Sequence, residues 1–169
     1  SVESNPELIS KWVKLIKEKS DKLKVRTTYI LDNEPMLWDS THHDLHPDPL
    51  GYDELWEKTQ KYAAAVKKAD PTASIAGPAE WGWSNYFYST KDLKVSTMAR
   101  PDRRKHGDVP LIPWYLQKLA EYEKANKVRL VDTLDLHFYP QAQGVGLGDM
   151  VAKVMLHQFL PVLVYQGGV

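Results

Sequence analysis

Three times along the chain a stretch with helical apolar spacing runs into a short run that lacks it, and each such run ends in a polar, aromatic turn. Asn5 to Lys22 sets Leu8, Ile9, Trp12, Val13, Leu15 and Ile16 at helical spacing behind the start signal Ser4-Asn5-Pro6. Lys24 to Asp32 holds Val25, Thr27, Thr28, Tyr29, Ile30 and Leu31, a β-branched and aromatic run that predicts a strand. Met36 to Gly51 is rich in Asp, His and Pro and predicts a long loop. Tyr52 to Ala69 then places Leu55, Trp56, Thr59, Tyr62, Ala63 and Val66 on one helical face, stopped by Asp70-Pro71. Ser74 to Ala79 predicts a second strand, Pro113 to Asn126 a third helix and Leu130 to Phe138 a third strand. Between them, Leu93 to Asp108 is polar, basic and aperiodic, which predicts a solvated loop around Arg100, Arg103, Arg104 and Lys105.

Strands separated by helices favour parallel β/α units over an antiparallel meander. In β/α barrels and in doubly wound sheets the site lies at the carboxyl ends of the strands, so Glu34, Trp81 and His137 are expected to meet there. A closed eight-stranded barrel takes roughly 200 residues or more, and three units fill nearly all of these 169. The expected fold is therefore an α/β part of a barrel.

Charge and composition narrow the function. The 22 basic side chains balance 22 acidic ones, with no basic stripe, so neither nucleic acid nor a membrane surface is an expected partner. There is no Cys, which excludes disulfides, thiolate zinc sites and cysteine nucleophiles. Ser1 to Ser10 has neither a basic n-region nor an apolar h-region, so no signal peptide is expected within the chain. Met150 to Val169 is apolar, yet Lys153, His157, Gln158 and Pro161 interrupt it too often for a bilayer span.

The strand ends carry the chemistry. A carboxyl placed directly after a buried strand is held rigidly and can be partly desolvated, so Glu34 in Asn33-Glu34-Pro35 can have the raised pKa that suits a general acid. Asn33 could hydrogen-bond a substrate hydroxyl, and Pro35 fixes the turn. The same tripeptide could equally be a plain turn. Trp81-Gly82-Trp83 and Tyr86-Phe87-Tyr88 offer flat faces for sugar rings or a cap for the core. His137 and Tyr139 could orient a carboxyl or bind sugar hydroxyls, or simply pack in the core. Glu80 is a conceivable partner for Glu34, although a surface position is expected. His42, His43, Asp44, His46 and Asp48 lack any zinc spacing and suggest a polar loop beside the cleft; calcium through Asp44 and Asp48 stays open. There is no glycine-rich phosphate loop and no Gly-x-Ser-x-Gly elbow.

Ile30-Leu31-Asp32-Asn33-Glu34-Pro35-Met36-Leu37-Trp38, then Thr41-His42, His46-Pro47, Gly77-Pro78-Ala79-Glu80-Trp81-Gly82-Trp83 and Asp135-Leu136-His137-Phe138-Tyr139-Pro140, together resemble glycoside hydrolase family 44. These are endo-β-1,4-glucanases and xyloglucanases, and the likeness runs in order from about Leu8 to Gly144. The resemblance implies parallel strands four to six of a (β/α)8 TIM barrel over 1–144, followed by a divergent or truncated tail over 145–169. It implies a retaining enzyme with Glu34 as general acid/base, and Asn33, Trp38, Trp81, Trp83, His137 and Tyr139 as substrate-binding residues. The family's nucleophile, a Glu after the seventh strand, has no counterpart here, and Glu80 in the fifth-strand motif is not it. The chain alone is then expected to be a nearly inactive fragment, prone to self-association through open sheet edges. Secretion, a β-glucan polysaccharide partner and no required cofactor follow from the same resemblance. A non-catalytic glucan-binding module is the alternative, with the aromatic strips gripping polymer without turnover.

Overall fold

A computed structural model describes residues 5–139, so the tail expected over 145–169 lies outside the described residues. Helix α1 (Pro6–Leu23) starts where Asn5 accepts the Leu8 N–H at 2.9 Å and Pro6 presets the first turn, and it ends at Lys24 in the left-handed region. Strand β1 (Thr28–Ile30) is shorter than the expected run. Its pairing begins only where the neighbouring strand begins, with Thr28 opposite Ser74, and it stops as Asp32 turns into positive φ.

Beyond β1 a 3-10 turn (Pro35–Leu37) leads into α2 (Trp38–Thr41), two short pieces within the segment expected to be a loop. Helix α3 (Tyr52–Ala69) matches its predicted bounds and packs across α1. Strand β2 (Ser74–Glu80) follows. The chain then forms α4 (Trp83–Phe87), α5 (Thr90–Val95), α6 (Pro101–Lys105), α7 (Leu111–Asn126) and β3 (Thr133–Leu136). The sheet order is β1-β2-β3, with both pairings parallel, as the alternation of periods requires.

The aperiodic segment Leu93 to Asp108 is not a solvated loop. Ser89 caps α5, and the fully buried Asp92 accepts the N–H groups of Asp102 (2.8 Å) and Arg103 (3.1 Å), which starts α6. Asp102 in turn accepts Ser89 Oγ (2.7 Å) and the N–H of Tyr52 (3.1 Å), so α5, α6 and the start of α3 share one polar hub. Gly51 is required there, since a Cβ would lie 2.8 Å from Asp102 Oδ2. Arg100 and Arg103 are both drawn to Asp108. Sequence periodicity missed this because the order comes from carboxylate caps rather than from an apolar face.

Two apolar clusters fill the space between sheet and helices. Val13, Ala63, Val66, Ala73, Ile75 and Leu130 pack as one. Met36, Leu50, Tyr52, Leu55, Leu111, Trp114 and Tyr115 pack as the other, and Trp56 and Leu119 touch both. Core packing therefore absorbs Trp56 and Trp114. Along the outer side of β1, Ile9, Trp12, Val13, Tyr29 and Ile30 line an open apolar groove of about 630 Å³. Among the described residues no helix is long and apolar enough to cross a membrane.

Asp132 joins three elements, because its Oδ2 accepts the Ile75 N–H (2.8 Å) and the Lys67 ammonium (2.6 Å). Asp132→Ala leaves both donors short of an acceptor and is expected to lower stability by about 1–3 kcal/mol. The check is a urea midpoint that moves down while the slope of the transition stays the same.

Candidate active site

Parallel pairing brings the ends of β1, β2 and β3 together, and the end of β2 serves both neighbours. The Ala79 carbonyl accepts the Glu34 N–H at 2.9 Å, and the Glu80 carbonyl accepts the His137 N–H at 2.7 Å. A bulge between Pro78 and Glu80, with Ala79 at φ 58°, re-aims the strand here, and the Gly77–Pro78 bond is cis. Glu34 itself sits at φ 52°, between the strand and the 3-10 turn, a conformation that a non-glycine residue rarely adopts. The turn is braced from outside, since Thr90 Oγ1 donates to the Met36 carbonyl at 2.5 Å and Lys94 pairs with the buried Asp39 at 2.9 Å. Helix α5 thus props up the turn that carries Glu34.

Glu34 Oε1 accepts two hydrogen bonds from the end of β3, one from His137 Nδ1 at 2.9 Å and one from the Tyr139 hydroxyl at 2.5 Å. An ionised carboxylate only accepts, so this contact puts the proton on Nδ1. The His137 and Tyr139 rings stand edge to face, 6.3 Å apart. Tyr86, from α4, donates to the His137 carbonyl at 2.5 Å and fixes that residue from the other side. Burial acts to raise the Glu34 pKa, but the hydrogen bonds from Tyr139 and His137 act against it and together prevail, leaving the carboxyl below its usual value. The raised pKa expected from burial alone is therefore corrected. Tyr139 moves the other way, because its hydrogen bond to Glu34 raises its own pKa.

The remaining sequence candidates are dispersed around this pair. Asn33 is exposed next to Glu34. Trp81 is half-buried against the core, and its indole N–H donates to Asn85, itself fully buried and bonded to the Tyr88 carbonyl. Trp83 is exposed and meets the exposed Phe87 edge to face at 6.3 Å. Trp38 packs partly on the core, with His46 against its edge and Lys58 over its ring. His46 is taken by Glu54 at 2.7 Å and His43 by the Asp39 carbonyl, while Asp44 and Asp48 are exposed. Among the described residues no three His, Asp or Glu side chains converge to hold a metal ion.

Glu80 is the largest departure from expectation. It is fully buried instead of exposed, and among the described residues neither carboxyl oxygen has a hydrogen-bond partner. Burial pushes its pKa well above the usual range; the nearby Trp81 N–H acts weakly against this without meeting hydrogen-bond geometry, and the charge of Glu34 adds to the rise. The signal in the sequence was its place directly after six small or apolar strand residues, Ser74 to Ala79.

The protein-family model for glycoside hydrolase family 44 matches residues 1–142. Over 116 residues, 69% of this chain and 8% of the other, the sequence is 40% identical to a β-mannanase/endoglucanase A of Caldicellulosiruptor saccharolyticus. It is also 40% identical over 118 residues to endoglucanase A of Paenibacillus lautus, covering 70% of this chain and 16% of that protein. A crystal structure of a bifunctional glucanase-xylanase from a metagenome library superimposes with a TM-score of 0.77 at 35% identity, covering 85% of this chain and 29% of that one. A family 44 xyloglucanase of Paenibacillus polymyxa, solved with xyloglucan, gives 0.67 at 30% identity, over 82% of this chain and 26% of its own. The chain thus spans less than a third of each of these relatives.

Because the folded Glu34 binds its proton more weakly than an unfolded glutamate, it stabilises the fold fully above the usual value of 4.5, and that contribution is lost as pH falls through the lower, folded value. Tyr139→Phe removes the stronger of the two bonds that lower it. The variant should show a Glu34 carbon resonance that titrates at higher pH and an acid limb of stability that is less steep. An unchanged Glu34 titration would mean that the phenol has no hold on the carboxyl.

Proposed function

Since the chain belongs to glycoside hydrolase family 44, we propose that it is the acid/base-bearing portion of an endo-acting, retaining β-1,4-glucanase, with cellulose, carboxymethylcellulose or xyloglucan as substrate. One observation supports this above all: a carboxyl at the end of one parallel strand is gripped by an imidazole and a phenol from another strand more than a hundred residues away. In this reading the three strands are the fourth to sixth of a TIM barrel, and the rest of the barrel supplies the nucleophile. Glu80 is no substitute, because a fully buried carboxyl cannot reach a sugar.

Two carboxyl groups about 5–5.5 Å apart flank the scissile bond in a retaining enzyme. Glu34 gives its proton to the leaving oxygen as the nucleophile bonds to the anomeric carbon. It then takes a proton from the water that breaks the glycosyl-enzyme bond. In the described site Tyr139 and His137 favour the ionised form; a second carboxylate brought close raises the proton affinity of Glu34, since like charges disfavour each other. Asn33 holds the 2-hydroxyl, Trp38, Trp81 and Trp83 contact sugar rings, and His137 and Tyr139 line the position next to the bond. The reaction requires carboxyls and water and no cofactor. A glucan polymer is too large to enter a cell, which places the parent enzyme outside it.

The test is a chimera in which residues 1–142 replace the matching segment of the metagenomic glucanase-xylanase. It should release reducing ends from xyloglucan or carboxymethylcellulose, Glu34→Gln should slow it by about 10²–10⁴-fold, and the chain alone should release none. Cleavage by the isolated chain, or an unimpaired Glu34→Gln chimera, would sink the assignment. An inactive chimera whose isolated segment is still retarded in xyloglucan gels would favour the binding-module reading.

The isolated chain is also proposed to self-associate. Ile30 and Trp12, 59% and 58% exposed, sit on the β1 side, where the sheet edge and the apolar groove are open among the described residues. Sedimentation velocity should show a concentration-dependent dimer that Trp12→Lys weakens. A monomer at every concentration is the contrary result.

A further inference from the structure

The mechanism above leaves one buried ionisable group unused. Glu80 ends β2, the strand whose last two carbonyls hold Glu34 and His137. Its side chain is fully buried. Among the described residues, the titratable groups that act on it or feel it include Glu34 from the turn after β1, Tyr86 from α4 and Tyr115 from α7. None of these is a cation, and among the described residues neither oxygen of Glu80 has a hydrogen-bond partner. A carboxylate in such a place has neither a counter-charge nor donors to replace water, and a group in that position keeps its proton.

We propose that Glu80 is a positioning residue for Glu34: an uncharged carboxyl, packed under the strand ends, whose protonation state sets the charge against which Glu34 works. The proposal rests on the reading of Glu34 as the acid/base. With Glu80 neutral, the described residues that favour the ionised form of Glu34 are Tyr139 and His137. When Glu80 loses its proton, a negative charge arises close to Glu34 and increases its affinity for a proton. The two carboxyls therefore act as a linked pair, with the less buried member, Glu34, exchanging its proton first.

A purely structural Glu80 would fill the same space without that link, so the test reads charge and not fold. Carbon-13 carboxyl resonances of Glu34 and Glu80 are followed against pH in the full 169-residue chain. The Glu34 signal is expected to move in two steps, a large one below the usual carboxylate range and a smaller one at higher pH that coincides with the Glu80 step. In Glu80→Gln, which keeps the shape and stays neutral, the first step remains in place and the second vanishes. The proposal is overturned if Glu80 titrates in the ordinary carboxylate range, if its step leaves the Glu34 signal unmoved, or if Glu34 behaves identically in both proteins. If Glu80→Gln does not fold, the coincidence of the two signals in the natural chain decides alone. Loss of this coupling would leave the acid/base role of Glu34 intact, whereas an unimpaired Glu34→Gln chimera would remove that role and leave the coupling.

Discussion

The end of β2 is the constraint on which the site depends. Its carbonyls at Ala79 and Glu80 accept the backbone N–H groups of Glu34 and His137, so two residues more than a hundred positions apart are fixed to adjacent rungs of one scaffold. Side-chain contact between them follows from backbone placement. A carboxyl on a flexible loop would lose entropy on meeting an imidazole and a phenol together; here the strands have already fixed the backbone. The bulge and the positive φ values at Ala79 and Glu34 are the local departures from regular geometry that aim the ends at each other.

Support for this arrangement comes from outside the sheet. Thr90 and Lys94 on α5 hold the turn after Glu34, Tyr86 on α4 holds the His137 carbonyl, and Asp92 and Asp102 tie α5 and α6 to the start of α3. Each contact is an ordinary hydrogen bond or ion pair worth about 1 kcal/mol or somewhat more. Their value is geometric, since together they remove freedom from a turn that the strand itself leaves after Ile30. The short helices between β2 and α7 are best understood as the outer shell of the site.

The helix–strand alternation was legible because residue pattern is a local property, and α1, α3 and α7 and the three strands all fall at the expected places, with β1 and β3 shorter than the runs that announce them. The meeting of Glu34 with His137 and Tyr139 was legible too, since parallel β/α topology sends every strand's carboxyl end to one face. Glu80 was only partly legible: its place after the small and apolar run Ser74 to Ala79 signals burial, whereas the Glu-Trp-Gly-Trp run that it opens reads as an exposed turn. The α5–α6 segment escaped for a related reason. Its helices are begun by Ser89 and Asp92 as caps, and an aperiodic run of Arg and Lys conceals them. The direction of the Glu34 pKa was misjudged because burial was weighed without the two donors that a distant strand would bring.

The contrast between the two glutamates shows how one strand end can hold carboxyls in opposite states. Glu34 and Glu80 flank the same backbone hydrogen bonds, yet Glu34 meets a phenol and an imidazole N–H while Glu80 meets no donor in good geometry. Hydrogen bonds to the charged form outweigh desolvation for the first, and desolvation stands almost unopposed for the second. Were both ionised, their repulsion would act across the very contacts that hold β1 and β3 to β2. Keeping the inner carboxyl neutral therefore lets the outer one carry charge without loosening the scaffold that aims it, and environments that push two carboxyls apart in this way are a recurring basis for acid/base chemistry.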